Sequence, residues 1–137
     1  MEERMTKREE REHLFRLLFC KDFHEAEELQ EQIGFYQAQQ EISDTDGYRA
    51  VVQKLERLIE TEGEIDMILS EAASGWTLNR MGKAELTILR IAVYEMVFDE
   101  DVPEKVAINE AVELAKKYGN DASSGFVNGV LAKIVRR

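Results

Sequence analysis

In a chain of 137 residues, 28 acidic and 18 basic side chains give a formal net charge of −10. That length suits one domain or two small lobes, and a hydrophobic content of 44% excludes a disordered chain. One proline and eight glycines argue against a turn-rich all-β protein, and a single cysteine, Cys20, excludes an intrachain disulfide and a CxxC redox pair.

Helical spacing begins with Leu14, Phe15, Leu17 and Leu18, which recur at three- and four-residue intervals. A second helical stretch over residues 24–40 carries Ala26, Leu29, Ile33 and Tyr36 as its apolar line. The cluster Ser43-Asp44-Thr45-Asp46-Gly47 is a loop and cap, with Asp44 or Asp46 suited to accept the orphan N–H groups of the next helix. That helix shows Tyr48, Val51, Val52, Leu55, Leu58 and Ile59 at i, i+3, i+4, i+7 spacing. Gly63 is expected to break it before a shorter helix through Ile65, Ile68 and Leu69, which Ser74-Gly75 ends.

Residues 86–98 carry only Arg90 and Glu95 as charges, and a helix that is apolar all round belongs in the centre of a bundle. Pro103 suits a first helical turn, where its missing N–H costs nothing. Val106, Ala107, Ala111, Leu114 and Ala115 then line one face until Gly119, with Lys116 and Lys117 at the negative end of the helix dipole. Asn120-Asp121 opens a last helix through Phe126, Val127, Val130, Leu131 and Ile134. The chain therefore reads as all-α, with six or seven helices and no strands. No apolar run reaches the roughly 18–20 residues that span a bilayer. The charged N-terminus lacks an apolar signal core, so a cytoplasmic protein away from the membrane is expected.

Charge is unevenly spread. The first 16 residues carry five basic and five acidic groups, and the last eight carry three bases and no acid, so the stretch between holds −13. Such an acidic body repels nucleic acid, which confines any nucleic-acid binding to the two ends.

Catalytic signatures are missing. There is no GxGxxG or GxSxG, and Gly82-Lys83 is followed by Ala84 rather than Ser or Thr. Cys20 and His24 stand at i and i+4, but two ligands make a poor metal site, and a buried thiol beside a solvated imidazole is the better reading. No metal or cofactor is expected.

Arg4, Lys7, Arg8 and Arg11 stand at i, i+3, i+4 and i+7, one stripe if the segment is helical. Glu9, Glu10 and Glu12 fall off it, and Glu12 can pair with Arg16. A stripe of this kind can grip phosphates, although by itself it fits an ordinary charged helix start better. Arg90 and Glu95, five positions apart, face different directions, so each needs a partner from elsewhere, and Glu110 or Glu113 is expected for Arg90. Gly125 and Gly129 each cost about 1 kcal/mol in a helix relative to alanine, which the close approach of another backbone or a ligand would explain. Spacing alone favours Phe126 as a core anchor over a stacking platform for a base.

Five blocks stand out: Trp76-Thr77-Leu78-Asn79-Arg80-Met81, Ile88-Leu89-Arg90-Ile91-Ala92-Val93-Tyr94-Glu95, Val102-Pro103, residues 106–116 (Val-Ala-Ile-Asn-Glu-Ala-Val-Glu-Leu-Ala-Lys) and Phe126-Val127-Asn128-Gly129-Val130-Leu131. They resemble the signature blocks of the NusB family of transcription antitermination factors. Together with Lys7-Arg8, Arg11 and Leu17-Leu18-Phe19 they cover almost the whole chain in the family order. The resemblance implies a single all-α domain of about seven helices in two small helical-bundle lobes, near residues 1–75 and 76–137, and no catalytic activity. It also implies partnership with the ribosomal protein NusE, binding of single-stranded boxA-type RNA in nascent ribosomal transcripts, and a place in the RNA polymerase antitermination complex. Some relatives self-associate, which leaves a homodimer open. By position, RNA binding falls on Lys7, Arg8 and Arg11 and on Ser123, Ser124 and Phe126, and the protein-partner surface falls on Phe19, Glu85 and Ile88. Family members often carry a denser arginine cluster than this one, which Glu9 and Glu10 interrupt, so weak, partner-dependent RNA binding is expected.

Two rivals come from other classes. A helical domain of the same kind precedes the catalytic domain of certain RNA cytosine methyltransferases; a chain ending at Arg137 leaves no room for a methyl-donor-binding domain, which sets the expectation against it. The other is a helical scaffold that binds only protein, separable by a gel shift with boxA-like RNA.

Overall fold

The computed structural model describes residues 4–21, 28–73 and 78–135. Among these residues there are seven α-helices, one 3₁₀ turn and no strand: α1 (Lys7–Lys21), α2 (Leu29–Gln39), α3 (Thr45–Glu60), α4 (Glu62–Ala72), the 3₁₀ turn Leu78–Arg80, α5 (Lys83–Val97), α6 (Glu104–Tyr118) and α7 (Ser123–Val135). The chain divides into two compact units, Met1–Arg57 and Leu58–Arg137, and the division falls inside α3. The N-terminal unit is shorter than the 75 residues expected for that lobe, because α4 packs on α5 and α7 of the second unit. Ala26, His24, Ser74-Gly75 and Trp76-Thr77 lie outside the described residues.

In the first unit most periodic residues are buried, namely Leu14, Phe15, Leu17 and Leu18 on α1, Ile33 on α2, and Tyr48, Val51 and Leu55 on α3, while Leu29, Tyr36 and Val52 are half-buried. Asp44 caps α3 as its position suggested, its Oδ1 accepting the Gly47 N–H at 3.0 Å. A polar and aromatic chain links the three helices. Tyr48 donates its hydroxyl to the Ile33 carbonyl at 2.6 Å and stacks on Tyr36, whose hydroxyl lies 2.8 Å from His13 Nδ1. Burial pushes the Tyr48 phenol up to about 12.

Burial, and then the neighbouring Arg16, hold the His13 imidazole below its ordinary pKa of 6.5. The unfolded chain therefore takes up this proton before the folded one as the pH falls. Its contribution to stability is present above about 6.5 and is lost on acidification toward the lower folded value. An NMR titration of the His13 ring is expected to show a midpoint below 6.5; a midpoint above it would mean that a carboxylate, not burial, dominates.

In the second unit, Thr61 rather than Gly63 separates α3 from α4. The Thr61 N–H and hydroxyl both turn back to the Leu58 carbonyl, each at 3.2 Å, and Gly63 sits in the first turn of α4 between Glu62 and Glu64. Those two acids face the positive end of the helix dipole. Helix α5 is central, as its composition suggested: residues 86–95 are all buried, and α5 packs on α4, α6 and α7.

Arg90 finds its carboxylates one helix upstream, on α4, and not at the expected Glu110 or Glu113. Its Nε and Nη2 donate to Asp66 Oδ1 and Oδ2, both at 2.9 Å, and Nη2 lies 3.3 Å from Glu62 Oε1. Glu62 and Asp66 are one turn apart, so one face of α4 brings both acids to the guanidinium as it packs on α5.

Helix α6 begins after Pro103 and stops at Gly119, where a Cβ would run into Ser123 and come within 2.8 Å of the Ala115 carbonyl. Close approach, not a left-handed backbone, requires glycine there. The missing Cβ lets Ser123 Oγ accept the Asn120 N–H at 2.9 Å, while Asn120 Oδ1 accepts the Ala122 N–H at 2.9 Å. This reciprocal cap starts α7.

Candidate nucleic-acid interface

Helix α1 starts at Lys7 because Thr6 and Glu9 close a capping box. The Thr6 hydroxyl accepts the Glu9 N–H at 3.1 Å, and Glu9 Oε1 accepts the Thr6 N–H at 3.0 Å. The bond from the Thr6 N–H, and then one from the Thr6 hydroxyl to the same carboxyl, hold Glu9 below the usual carboxylate range. Glu9, which looks like an interruption of the basic stripe, is thus the residue that begins the helix carrying it. The signal for it in the sequence is Thr6 followed three positions later by Glu9.

The stripe itself splits by depth. Lys7 and Arg8 are exposed, with Lys7 pairing Glu10 at 3.6 Å from a side chain 88% accessible. Arg11 is buried, at 8% exposure, where the helix turns its apolar face inward. Arg4 is exposed but precedes the helix, so helical spacing does not extend the stripe to it. Glu12 and Arg16 pair at 3.2 Å, as their spacing suggested.

The second set of candidate residues, on the second unit, also divides. Ser123 is fully buried and committed to the cap of α7, so its hydroxyl serves the fold. Ser124 and Phe126 are half-buried on the first turn of α7. From Ser123 to Val135 this helix carries no acid in a chain of charge −10. Gly125 and Gly129 are exposed, and apart from the adjoining residues and backbone of α7 no described atom lies within 4 Å of where their Cβ atoms would be. The backbone approach expected at these glycines is therefore not made within the described structure; their side of α7 is open.

Of the partner-surface candidates, Phe19 is half-buried and stacks on Phe15 at 5.8 Å between ring centroids. Glu85 is half-buried in the first turn of α5 and folds back over Gly82, where a Cβ would meet its Oε1 at 2.6 Å. Ile88 is fully buried and belongs to the core. Cys20 is exposed rather than buried, because it lies near the end of α1 beyond the apolar line Leu14, Leu17 and Leu18. His24 lies outside the described residues, and no cluster of three metal-ligating side chains occurs among the described ones. No helix among them is long and apolar enough to cross a membrane.

These features define a small all-α protein whose accessible chemistry is a cationic helix start on one unit and an acid-free helix on the other. Residues 8–136 match the NusB family, and the chain belongs to that family. It is 55% identical over 131 residues to the transcription antitermination protein NusB of Lachnoclostridium phytofermentans, a match covering 96% of this chain and 99% of that one. Its fold is similar to that of T. maritima NusB, with a TM-score of 0.84 at 30% identity over 98% of this chain and 94% of the other. It is also similar to a chain in a crystal structure of the antitermination factors NusB and NusE in complex with double-stranded RNA, with a TM-score of 0.81 and 25% identity, covering 95% and 96% of the two chains.

Proposed function

We propose that this protein is an RNA-binding transcription antitermination factor that joins the ribosomal protein NusE on the boxA element of nascent ribosomal RNA and acts with RNA polymerase in the cytoplasm. The observation that carries this reading is the near-full-length likeness to a chain solved with NusE and RNA, at a TM-score of 0.81. It works by assembly rather than by catalysis.

Lys7 and Arg8 neutralise RNA phosphates from the exposed start of α1, while Arg11 holds the same helix in the fold. Phe126 offers a half-buried ring for stacking beside Ser124, and Ser123 positions both by capping α7. Phe19 on α1 and Glu85 in the first turn of α5 serve the protein partner, and Ile88 lies in the core of its own unit. Two phosphate contacts give only weak binding against an acidic body, with a log–log salt slope of about −1.4 for single strands. Two proteins sharing one RNA bind it better than either does alone.

A gel shift with the leader transcript of a ribosomal RNA operon, run with and without NusE, tests the reading. Retention is expected only or mainly with NusE, and more tightly than for an unrelated oligomer or a duplex of equal length. Equal retention of the unrelated oligomer would rule it out.

A further inference from the structure

The coil ahead of α1 is tied down from both sides. Asp44 Oδ2 accepts the Met5 N–H at 2.8 Å across 39 positions, while Oδ1 of the same carboxyl caps α3 at the Gly47 N–H. One residue further on, the Thr6–Glu9 box begins the helix. Gly47 is needed for this arrangement, because a Cβ there would run into the Asp44 carboxyl and lie 3.2 Å from the Met5 Cβ. The two backbone N–H bonds hold the Asp44 carboxyl below the usual carboxylate range, and the nearby Arg4 pulls it in the same direction. Capping α3 requires only the bond to Gly47. The bond to Met5 adds nothing to that helix; it fixes the residue next to Arg4, an exposed cation that helical spacing leaves unplaced.

We propose that Asp44 is a positioning residue for RNA binding: by holding the Met5 N–H it presents Arg4 as a third exposed cation with Lys7 and Arg8. This rests on the RNA-binding reading above. A loose coil would have to be ordered each time a phosphate arrived, at a cost in backbone freedom; the tether orders it beforehand. The Asp44 charge itself disfavours RNA, so neutralising it and losing the tether act in opposite directions. Asp44→Ala and Asp44→Asn both remove the charge and neither side chain can serve both N–H groups, so weaker binding by either means that the lost tether outweighs the relieved repulsion.

The test is a salt titration of affinity for a dye-labelled single-stranded RNA from a ribosomal operon leader, in the presence of NusE. One phosphate contact on a single strand is worth about 0.7 in the log–log slope, or about fivefold at 0.1 M salt. Arg4→Ala and Asp44→Ala are each expected to lose about fivefold and to flatten the slope by about 0.7, and the double variant to lose no more than either. Asp44→Asn is expected to bind more weakly than the unaltered chain. Equal or tighter binding by Asp44→Asn, or additive losses in the double variant, would overturn the tether. Should Asp44→Ala fail to fold by far-UV circular dichroism, Asp44→Asn decides alone. Undiminished binding by a Lys7→Glu, Arg8→Glu chain would sink the RNA reading and the tether with it. Loss in that chain with no change in the Asp44 variants would sink only the tether.

Discussion

Replacing Lys7 and Arg8 together by glutamate is expected to abolish binding of leader RNA while leaving stability within about 1 kcal/mol of the unaltered chain. Both positions are exposed, and the pair that Lys7 makes with Glu10 is a surface contact of little energetic weight. Both also lie in the first turn of α1, where a carboxylate is favoured by the helix dipole, so the replacements do not oppose the helix. Their effect on RNA is large for the same electrostatic reason. Two phosphate contacts account for about 1.4 of the salt slope, or about 25-fold at 0.1 M, before the two new acids add repulsion. Thermal melts and fluorescence anisotropy on one sample measure both quantities. Retained affinity at moderate salt would remove the start of α1 as the RNA grip, whatever the rest of the assembly does.

Asp66→Ala is expected to destabilise the fold by about 3 kcal/mol, the typical cost of removing one partner from a buried ion pair. Asp66 supplies both oxygens of a bidentate pair to Arg90, whose side chain is only 11% exposed within the central helix. Glu62 remains 3.3 Å from Nη2 and softens the loss, but it cannot replace two parallel bonds. Replacing Arg90 and Asp66 together by Met and Leu is expected to cost far less than the single change. The penalty lies mainly in a stranded guanidinium, and an apolar pair removes it. Urea unfolding of the three chains measures this. A loss below about 1 kcal/mol for Asp66→Ala would mean that water reaches Arg90 and the pair behaves as a surface contact.

Much of the fold was legible from spacing. The buried apolar residues of α1, α3 and α7 all belong to the three- and four-residue recurrence, and the central placement of α5 followed from its having only two charges among thirteen residues. Helix ends were legible where a side chain acts on its own neighbours, as with Asp44 before α3 and Gly119 after α6. Gly63 misled because a glycine in a first turn looks the same in sequence as a glycine that ends a helix. The candidate interface was half legible. Composition located the cations at the chain's start, and the family blocks supplied the rest, but charge alone could not tell the exposed Lys7 and Arg8 from the buried Arg11. Nor could it tell Ser123, sealed into a cap, from Ser124 beside it.

Local order in the sequence by itself determined which stretches are helical and which face of each is apolar, because helical hydrogen bonds and the 3.6-residue period involve only near neighbours. Only the tertiary structure decided that Arg90 meets α4 rather than α6, that Asp44 reaches Met5 across 39 positions, and that one cation of the stripe goes inside. Each of those outcomes depends on how helices remote in sequence pack, and a packing contact leaves no mark in the spacing of either partner.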